Sequence, residues 1–495
     1  MKIKNFTSFD TNDVEILSYD DFYHNILSLV ELEDNHCISL FARPLSKRSL
    51  RLWAFVACDA TADISVFVAD INADTSLNSL TAECPAFHPF EREIYEQFGV
   101  NYSNHPWLKP LRFAHDRTIP LGIYDYPFYD IESEEFHRVG VGPIHAGIIE
   151  PGHFRFICEG EKIHHLEIQL GWQHRGVENV MLTKQNALAR SLVAENIAGD
   201  STVANAVAFT SLYESLAGYN ADRSLNIDRT IALEQERIAV HTGDLSAICT
   251  DIAYQLGSAV FGRLRTPMIN FFQKWSGSRF AKGLIRPSGT NFPFTDALAD
   301  DWLTTISKFE PDFREMATEM FDLPSVLSRI ERTGILSRET AIRIGLVGMV
   351  AKASGLSRDV RATHPTLLYP ELQNKTIVLP QGDVYARAQV RYQEVLQSIQ
   401  NIKQLITLRS SAPQVGWHDL SLQPTKTAVA LVEGWRGMIC HVAQTDNNGN
   451  LVAYKVTDPS VHNWLGLALA VRGNGISDFP ICNKSFDLSY CGHDL

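Results

Sequence analysis

Three glycine-containing segments carry the residues best suited to chemistry. The first is GPIHAGIIEPGHFRF, from Gly142 to Phe156, which contains His145, Glu150 and His153. A carboxylate on a Gly/Pro turn in a buried site would have the raised pKa that a proton relay needs. Glu150 is therefore a candidate proton-transfer residue, although a capping or ion-paired glutamate would give the same pattern. A single histidine is more often a satisfied core residue than a ligand.

The second group of candidates comes from two short polar motifs. GWQHRGVENVM supplies His174, Arg175 and Glu178. EGWRG supplies Arg436. Arginine is always charged and presents a rigid fork of donors, so a fixed arginine either faces a reactive site or neutralises a structural acid. Both alternatives remain open for Arg436.

The cysteines do not form a metal-binding motif. The closest two are nine residues apart and no C-x-x-C occurs, so zinc-ribbon, iron–sulfur and thioredoxin-type sites lose their usual support. No P-loop and no G-x-G-x-x-G after a strand is present either. We expect reduced and mostly buried thiols. The eight cysteines are Cys37, Cys58, Cys84, Cys158, Cys249, Cys440, Cys482 and Cys491.

Charge and hydropathy exclude several classes of function. The 495 residues include 57 acids and 44 bases, a formal net charge of −13, which argues against a nucleic-acid-binding protein because such proteins present a basic face. No charge-free apolar run reaches the roughly 18 residues that would span a bilayer, and the N-terminus lacks a signal-peptide core. We expect a cytoplasmic protein that contacts a membrane only through partners.

The pattern of the chain predicts an α+β fold in two domains. Residues 1–115 read as a small α+β domain with adjacent strands at 50–60 and 64–71 and an acidic helix at 89–100. Residues 116–138 are irregular, aromatic and acidic and form a candidate linker. Residues 139–495 read as a large, mainly helical domain.

Within the larger domain, helical and extended patterns can be separated. Ile231, Ile238, Leu245 and Ile252 recur every seven residues with Ile248 and Leu256 beside them, which predicts one stripe of a long buried helix. Further segments repeat this helical pattern at 297–320, 338–355 and 383–408, and strands are predicted at 160–171, 428–432 and 438–442.

The sequence resembles a known family in two places. FEREIYEQFGV followed by NHPWLKPLRF resembles the signature of the C subunit of respiratory complex I (NADH–quinone oxidoreductase), a helix and tail that dock against the D subunit, with Glu96 in place of the usual aspartate. GPIHAGIIEPGHFRF with GWQHRGVENVM resembles the D subunit of complex I and the large subunits of energy-converting nickel–iron hydrogenases, including that of formate hydrogenlyase. Supporting segments are LEQERIAVHTGDL, LVGMVAKASGLSRDVR, GDVYARAQVRYQEVLQSI, VEGWRG and ISDFPICNKSFDLSYCGHDL.

The resemblance covers essentially residues 85–495 and implies that a domain like the complex I C subunit is fused to a hydrogenase-type domain like the D subunit. It places Glu150 where hydrogenases keep the glutamate that passes protons to and from nickel. It places Arg436 where an arginine overhangs the metal. Together with His153, these are the candidate catalytic residues that the resemblance implies.

Other matched residues would support the site or bind a substrate. By resemblance, His174, Arg175 and Glu178 form the H-R-G-x-E element that supports the site. His145 belongs to the loop that grips the quinone head group in complex I. The tyrosine that assists there is replaced by about Gly199, and Tyr490 could enter the same cavity from the C-terminal segment.

The metal-ligand positions of the hydrogenase family are altered. The first cysteine pair aligns with Ala198 and Ser201, and the second aligns with Ser489 and Gly492. One deletion would instead place Cys491 on the second pair. At most one thiolate remains, whereas nickel and iron in this site need four soft sulfur ligands. The resemblance therefore implies no metal centre, no cofactor bound directly, and quinone as a candidate substrate.

Two functional hypotheses follow. In the first, the chain is a core peripheral-arm subunit of a membrane-associated redox complex and couples electron transfer to proton movement. In the second, it is a non-catalytic scaffold. Under both, the expected partners are a small iron–sulfur subunit resembling the B subunit of complex I, which would hold the iron–sulfur cluster, and antiporter-like membrane subunits. The chain would then lie on the cytoplasmic face of the inner membrane.

Overall fold

A β-rich N-terminal region precedes a larger helical region, as the α+β pattern predicted. The computed structural model describes residues 1–147 and 149–495. In the N-terminal region the main sheet has the order β1-β6-β5-β4, with β3 parallel to β6 and the other pairs antiparallel. The strands are β1 (Lys2–Ile3), β2 (Thr7–Asp10), β3 (Ile16–Leu17), β4 (Asn35–Pro44), β5 (Ser49–Cys58), β6 (Asp63–Asn72), β7 (Leu77–Asn78) and β8 (Tyr102–Ser103). The helices are α1 (Tyr19–Val30), α2 (Leu80–Glu83) and α3 (His88–Phe98).

The acidic helix that the sequence predicted is α3, and its carboxylates are used inside the fold. The helix ends before Gly99, whose φ of +75° is the left-handed conformation that glycine adopts at helix ends. Glu96 is buried and accepts hydrogen bonds from the backbone N–H groups of Leu111, Arg112 and Phe113, at 2.9, 2.8 and 2.5 Å. The carboxylate therefore fixes the extended tail that follows the helix.

Replacing Glu96 by glutamine is expected to lower the free energy of unfolding by about 2 kcal/mol, because hydrogen bonds to a charged group contribute about 1.5–3 kcal/mol. Chemical denaturation of the purified chain measures the change. Glu15→Gln, at an exposed position, is the control and should have little effect. Equal stability of the two variants would contradict this role of Glu96.

The larger region combines a three-stranded sheet, a second antiparallel sheet and many helices. Its strands are β9 (His137–Val141), β10 (His153–Glu159), β11 (Lys162–Gln169), β12 (Lys426–Glu433), β13 (Met438–Thr445) and β14 (Leu451–Thr457). Its helices are α4 (Val177–Thr183), α5 (Ala187–Ala194), α6 (Thr202–Ala217), α7 (Arg223–Asp251), α8 (Gln255–Ser276), α9 (Asp296–Asp322), α10 (Pro324–Ile330), α11 (Arg338–Arg343), α12 (Gly348–Ala353), α13 (Val360–Thr363), α14 (Val384–Leu408), α15 (Pro459–Ala470), α16 (Phe479–Phe486) and α17 (Tyr490–Asp494).

The long helix α7 carries the predicted apolar stripe, with Ile231, Ile238 and Leu245 fully buried. Two details of the prediction were wrong. Leu256 is 52% exposed because α7 ends at Asp251 and a new helix, α8, begins at Gln255. The segment 338–355 is two short helices, because the chain takes a positive φ of +70° at Gly345.

The two regions are joined by a strand and by buried charges. Strand β2 pairs antiparallel with β12, so residues 7–10 belong to the sheet of the larger region. Glu93 of α3 contacts both Arg112 and Lys455 at 2.5 Å. Burial opposes ionisation of Glu93, but these two cations hold its pKa below the usual value. Among the described residues, no helix is long and apolar enough to cross a membrane.

Candidate active site

A tight glycine contact positions the EGWRG motif, which forms the turn between β12 and β13. Gly437 has a φ of +139° and packs backbone to backbone on Gly348, whose φ is +62°. A Cβ atom on Gly437 would lie 2.6 Å from the Cα atom of Gly348, so the approach requires glycine on both sides. The turn therefore holds Arg436 in a fixed place against helix α12.

Arg436 forms the centre of the candidate site. Its guanidinium makes a bidentate ion pair with Asp200, at 2.7 and 2.6 Å, and packs 4.0 Å from the ring of Trp435. Its Nε donates to the backbone oxygen of Asp487 at 2.5 Å, and Nη1 lies 3.3 Å from the hydroxyl of Ser201. Burial alone would lower the pKa of Arg436, but Asp200 raises it overall, so the arginine stays charged.

The C-terminal helix α17 forms one wall of the candidate site. Ser489 caps this helix by accepting from the N–H of Gly492 at 2.9 Å. Glu150 accepts from the N–H of Cys491 at 3.1 Å, and the Cys491 sulfur lies 3.4 Å from the hydroxyl of Ser489. Burial, and then the Glu150 carboxylate, raise the pKa of Cys491 to about 12, so it is a neutral thiol. The partner of Arg436 is thus Asp200, while Glu150 binds helix α17.

The loop before β10 brings His145 and Tyr490 together but not His153. His145 binds the backbone oxygen of Gly152 through Nε2 at 2.8 Å, and its ring centroid is 6.4 Å from that of Tyr490. A Cβ on Gly152 would lie 2.5 Å from the Tyr490 ring, so glycine allows this packing. His153, the first residue of β10, instead packs against Phe128, with their ring centroids 5.3 Å apart.

The H-R-G-x-E element anchors the C-terminus. His174 Nδ1 lies 2.7 Å from the backbone oxygen of Asp494, and Arg175 donates to the backbone oxygen of Cys491 at 3.1 Å. Glu178 is 3.2 Å from the ammonium group of Lys455. His174 and Arg175 therefore hold α17 in place, whereas Glu178 binds strand β14, where it also accepts from the N–H of Val456 at 3.0 Å.

The donor set at the four aligned ligand positions does not fit a nickel–iron group. Ala198 offers a buried methyl group, and Gly492 offers no side chain. The hydroxyls of Ser201 and Ser489 contact Arg436 and the helix end respectively. Soft thiolates are the ligands that such a group requires. Among the described residues, no cluster of three or more His, Cys, Asp or Glu side chains could hold a metal ion.

Ionisable groups continue inward from the site. The Asp487 carboxylate pairs with Lys484 at 2.9 Å, and burial followed by the neighbouring carboxylate of Asp244 raises the pKa of Asp487 to about 6. Asp244 lies 3.8 Å from Nδ1 of His241, whose Nε2 is 2.9 Å from the carboxylate of Glu394. Arg436 is connected to Asp487 through its backbone oxygen. A series of ionisable side chains therefore starts at the candidate site and enters the core.

The inner end of this series is a cluster of buried charges. Lys352 contacts Glu394 at 2.5 Å, Glu433 at 3.1 Å and Asp359 at 3.4 Å. Five carboxylates face four permanent cations, leaving one excess negative charge, which a proton on one carboxyl group would neutralise. The carboxylates are those of Glu234, Asp244, Asp359, Glu394 and Glu433, and the cations are Arg237, Lys352, Arg361 and Arg391.

Sequence reasoning missed several of these residues. Asp200 lies between the aligned positions Ala198 and Ser201, so a charged residue entering the former ligand motif was a visible signal. His241 and Glu394 lie in helices that bury several other charged residues, so the local pattern does not single them out. Nothing in the local sequence around Asp487 indicates that its carboxyl group meets Asp244.

The fold and site define a small α+β domain joined to a hydrogenase-type large-subunit domain. Residues 21–127 match the family "Respiratory-chain NADH dehydrogenase, 30 Kd subunit", and residues 253–420 match "Respiratory-chain NADH dehydrogenase, 49 Kd subunit". The chain therefore belongs to the complex I-like and energy-converting hydrogenase family, with the 30 kDa and 49 kDa domains fused.

Curated relatives show the same two branches. The chain is 27% identical over 447 residues to hydrogenase-4 component G of Escherichia coli (strain K12), covering 86% of this chain and 77% of that protein. It is 28% identical over 389 residues to the C/D subunit of NADH-quinone oxidoreductase from Phocaeicola vulgatus, covering 70% of this chain and 73% of that protein.

A solved structure shares the fold. It is described as the membrane-bound sulfane sulfur reductase, an archaeal respiratory membrane complex. One of its chains matches with a TM-score of 0.68 at 20% identity, over 74% of this chain and 100% of that chain. At this identity the likeness supports the fold alone.

Proposed function

We propose that the protein is a core peripheral-arm subunit of a membrane-associated, complex I-like redox complex, and that it couples electron transfer to proton movement without a nickel–iron centre. Relatives that are subunits of respiratory complexes support the coarse assignment. The finer proposal rests on one observation: the Asp200–Arg436 ion pair lies among the aligned ligand positions, at the outer end of the series Asp487, Asp244 and His241.

In this proposal the residues of the site have separate roles. Arg436 supplies a fixed positive charge that favours an anionic or reduced form of a substrate beside it. Glu150 exchanges protons at the edge of the site, and Asp487, whose pKa is raised to about 6, is the group beside Arg436 that can hold a proton. His145 and Tyr490 lie together on the C-terminal wall and are candidates to contact a quinone head group.

The proposed partners follow from the resemblance to complex I subunits. A small iron–sulfur subunit resembling the B subunit of complex I would deliver electrons, and antiporter-like membrane subunits would use the released energy. Attachment on the cytoplasmic side of the inner membrane through these partners belongs to the proposal. Chains that co-purify from solubilised membranes, identified by mass spectrometry, test it directly. Recovery without an iron–sulfur or membrane subunit would contradict it.

We expect elemental analysis of the purified complex to give substoichiometric nickel, because the aligned positions lack four thiolates. Iron carried by a partner would not count against this expectation, so nickel is the element to measure. Stoichiometric nickel together with hydrogen uptake would overturn the proposed absence of the centre.

Replacing Glu150 by glutamine is nearly isosteric and removes the carboxyl group that would carry the proton. We expect coupled proton movement to fall by about tenfold or more, because a positioned general acid or base contributes about 10²–10⁴-fold. Proton uptake into vesicles containing the complex measures this, and co-purification measures assembly. Glu135→Gln, at an exposed position, is the control. Unchanged proton movement in the Glu150→Gln complex would leave the scaffold function as the better description.

A further inference from the structure

A second cavity lies where the two regions of the chain meet. This junction cavity, of about 600 Å³, is bounded by α3 with its tail, by the segment 126–130, by β11 and by α15. The volume lies within the range of about 300–1,000 Å³ that is typical of small-molecule sites. Its described lining residues do not include Glu150, Arg436 or Tyr490. The ring of Trp464, which lines the cavity, packs 5.0 Å from that of Tyr490 and lies beside the candidate active site.

The walls of the junction cavity are rich in aromatic rings. Trp107, Tyr126, Phe128, Tyr129 and Trp464 come from three different parts of the chain. The rings of Tyr126 and Phe128 meet edge to face with centroids 4.8 Å apart. Aromatic side chains supply large rigid contact surfaces that suit flat ring systems. The shape and composition of the walls therefore favour a planar aromatic occupant.

Two arginines that line the junction cavity have no carboxylate partner among the described residues. Lys109 is paired with Glu167 at 2.5 Å. Arg92 donates only to the backbone oxygens of Lys109 and Pro110, at 2.8 Å each. Arg472 donates to Nδ1 of His165 at 3.2 Å. Asp130 also lines the cavity, but it is paired with Arg138. The three cations Arg92, Lys109 and Arg472 outnumber the two carboxylates Asp130 and Glu167 by one.

The hydrogen-bonding groups of the lining have the same bias toward donors. Burial, and then the charge of Arg472, lower the pKa of His165, so its ring is neutral near pH 7. Because Arg472 donates to Nδ1, the ring hydrogen of His165 lies on Nε2. That nitrogen and the indole nitrogen of Trp464 are buried without a hydrogen-bond partner. Excess donors favour a ligand that is rich in acceptor oxygens.

We propose that the junction cavity binds a planar aromatic molecule carrying an anionic group. The rings contact the walls formed by Trp107 and Phe128, and the anion lies toward Arg92 and Arg472. This site goes beyond the proposed function, because none of its residues belongs to the Glu150–Arg436 site. A loss of binding here and a loss of proton coupling there are therefore separate outcomes.

The probe for this proposal is anilinonaphthalene sulfonate, a fluorescent aromatic anion, titrated into the purified full-length chain. We expect saturable binding of one probe per chain. Arg472→Gln should weaken binding by about tenfold, which corresponds to about 1.4 kcal/mol. Arg314→Gln, which removes an exposed, ion-paired guanidinium elsewhere, should leave it unchanged. Anilinonaphthalene without the sulfonate should bind more weakly than the anion.

A second variant tests the volume without changing the charge. Ala468 lines the junction cavity, and Ala468→Phe should fill part of it and weaken probe binding by about tenfold or more. Circular dichroism establishes that each variant is folded. Non-saturable binding, or equal affinity in wild type, Arg472→Gln and Ala468→Phe, would overturn the proposal. Binding by the isolated chain that disappears in the purified complex would assign the cavity to a partner protein and would also overturn it.

Discussion

Replacing Lys352 by methionine is expected to lower the free energy of unfolding by about 3–5 kcal/mol, the usual result of removing one partner from a buried ion pair. Lys352 is fully buried and contacts three carboxylates within 3.4 Å. The buried carboxylates already exceed the permanent cations by one. Without Lys352, the carboxylates of Glu394, Glu433 and Asp359 would face one another without the cation that they share. Equilibrium denaturation at pH 7 measures the loss.

The matched control is Lys274→Met. Lys274 pairs with Asp301 at 2.5 Å, but its side chain is 57% exposed, so the change should alter stability by less than about 1 kcal/mol. The deficit of Lys352→Met should shrink as the pH falls, because the folded variant then binds protons on the uncompensated carboxyl groups. A deficit as small as that of the control, or one that grows toward acidic pH, would contradict this account of the cluster.

Long periodic elements were predictable from the sequence because their signal is local. The apolar stripe of α7 and the paired strands β5 and β6 follow from side-chain periodicities that the chain itself displays. The helix predicted at 338–355 is broken at Gly345, and its second part begins at Gly348, which packs tightly on the distant Gly437. Such a contact is invisible to any local pattern.

The candidate site was partly predictable for the same reason. Motifs placed Arg436 and Glu150, since their neighbours in the sequence are distinctive. The identity of their partners depends on tertiary contacts: Asp200 is 236 residues from Arg436, and Cys491 is 341 residues from Glu150. The positions of the candidate groups were thus accessible from the sequence, whereas their charge pairing required the fold.

Asp59 is a group for which we expect a large effect of pH on stability. It follows β5 in the N-terminal region and lies 3.6 Å from His36 and 3.5 Å from His364, with Arg358 also acting on its charge. Burial is the main cause that raises the pKa of Asp59 to about 7, against an ordinary value of 3.8, and Arg358 and a hydrogen bond from Thr363 only partly oppose it. The remaining charged groups that act on it are Asp34 and Glu433. Burial lowers the pKa of both His36 and His364, so the two rings are neutral near pH 7.

Replacing Asp59 by asparagine is therefore expected to stabilise the chain at pH 8 relative to wild type while changing little at pH 4. The folded state binds the proton of Asp59 more tightly than the unfolded state, so the unfolding free energy of wild type falls as the pH rises from about 4 to 7 and stays low above that. A shift of about three pKa units corresponds to roughly 4 kcal/mol, and asparagine keeps the shape without the ionisation. The measurement is the difference in unfolding free energy between the two proteins at pH 4 and pH 8.

The control is Asp312→Asn. Asp312 pairs with Arg263 at the surface and its side chain is 47% exposed, so this variant should show no such dependence on pH. If Asp59→Asn and wild type differ equally at both pH values, the carboxyl group does not titrate in this range and burial is not what controls it.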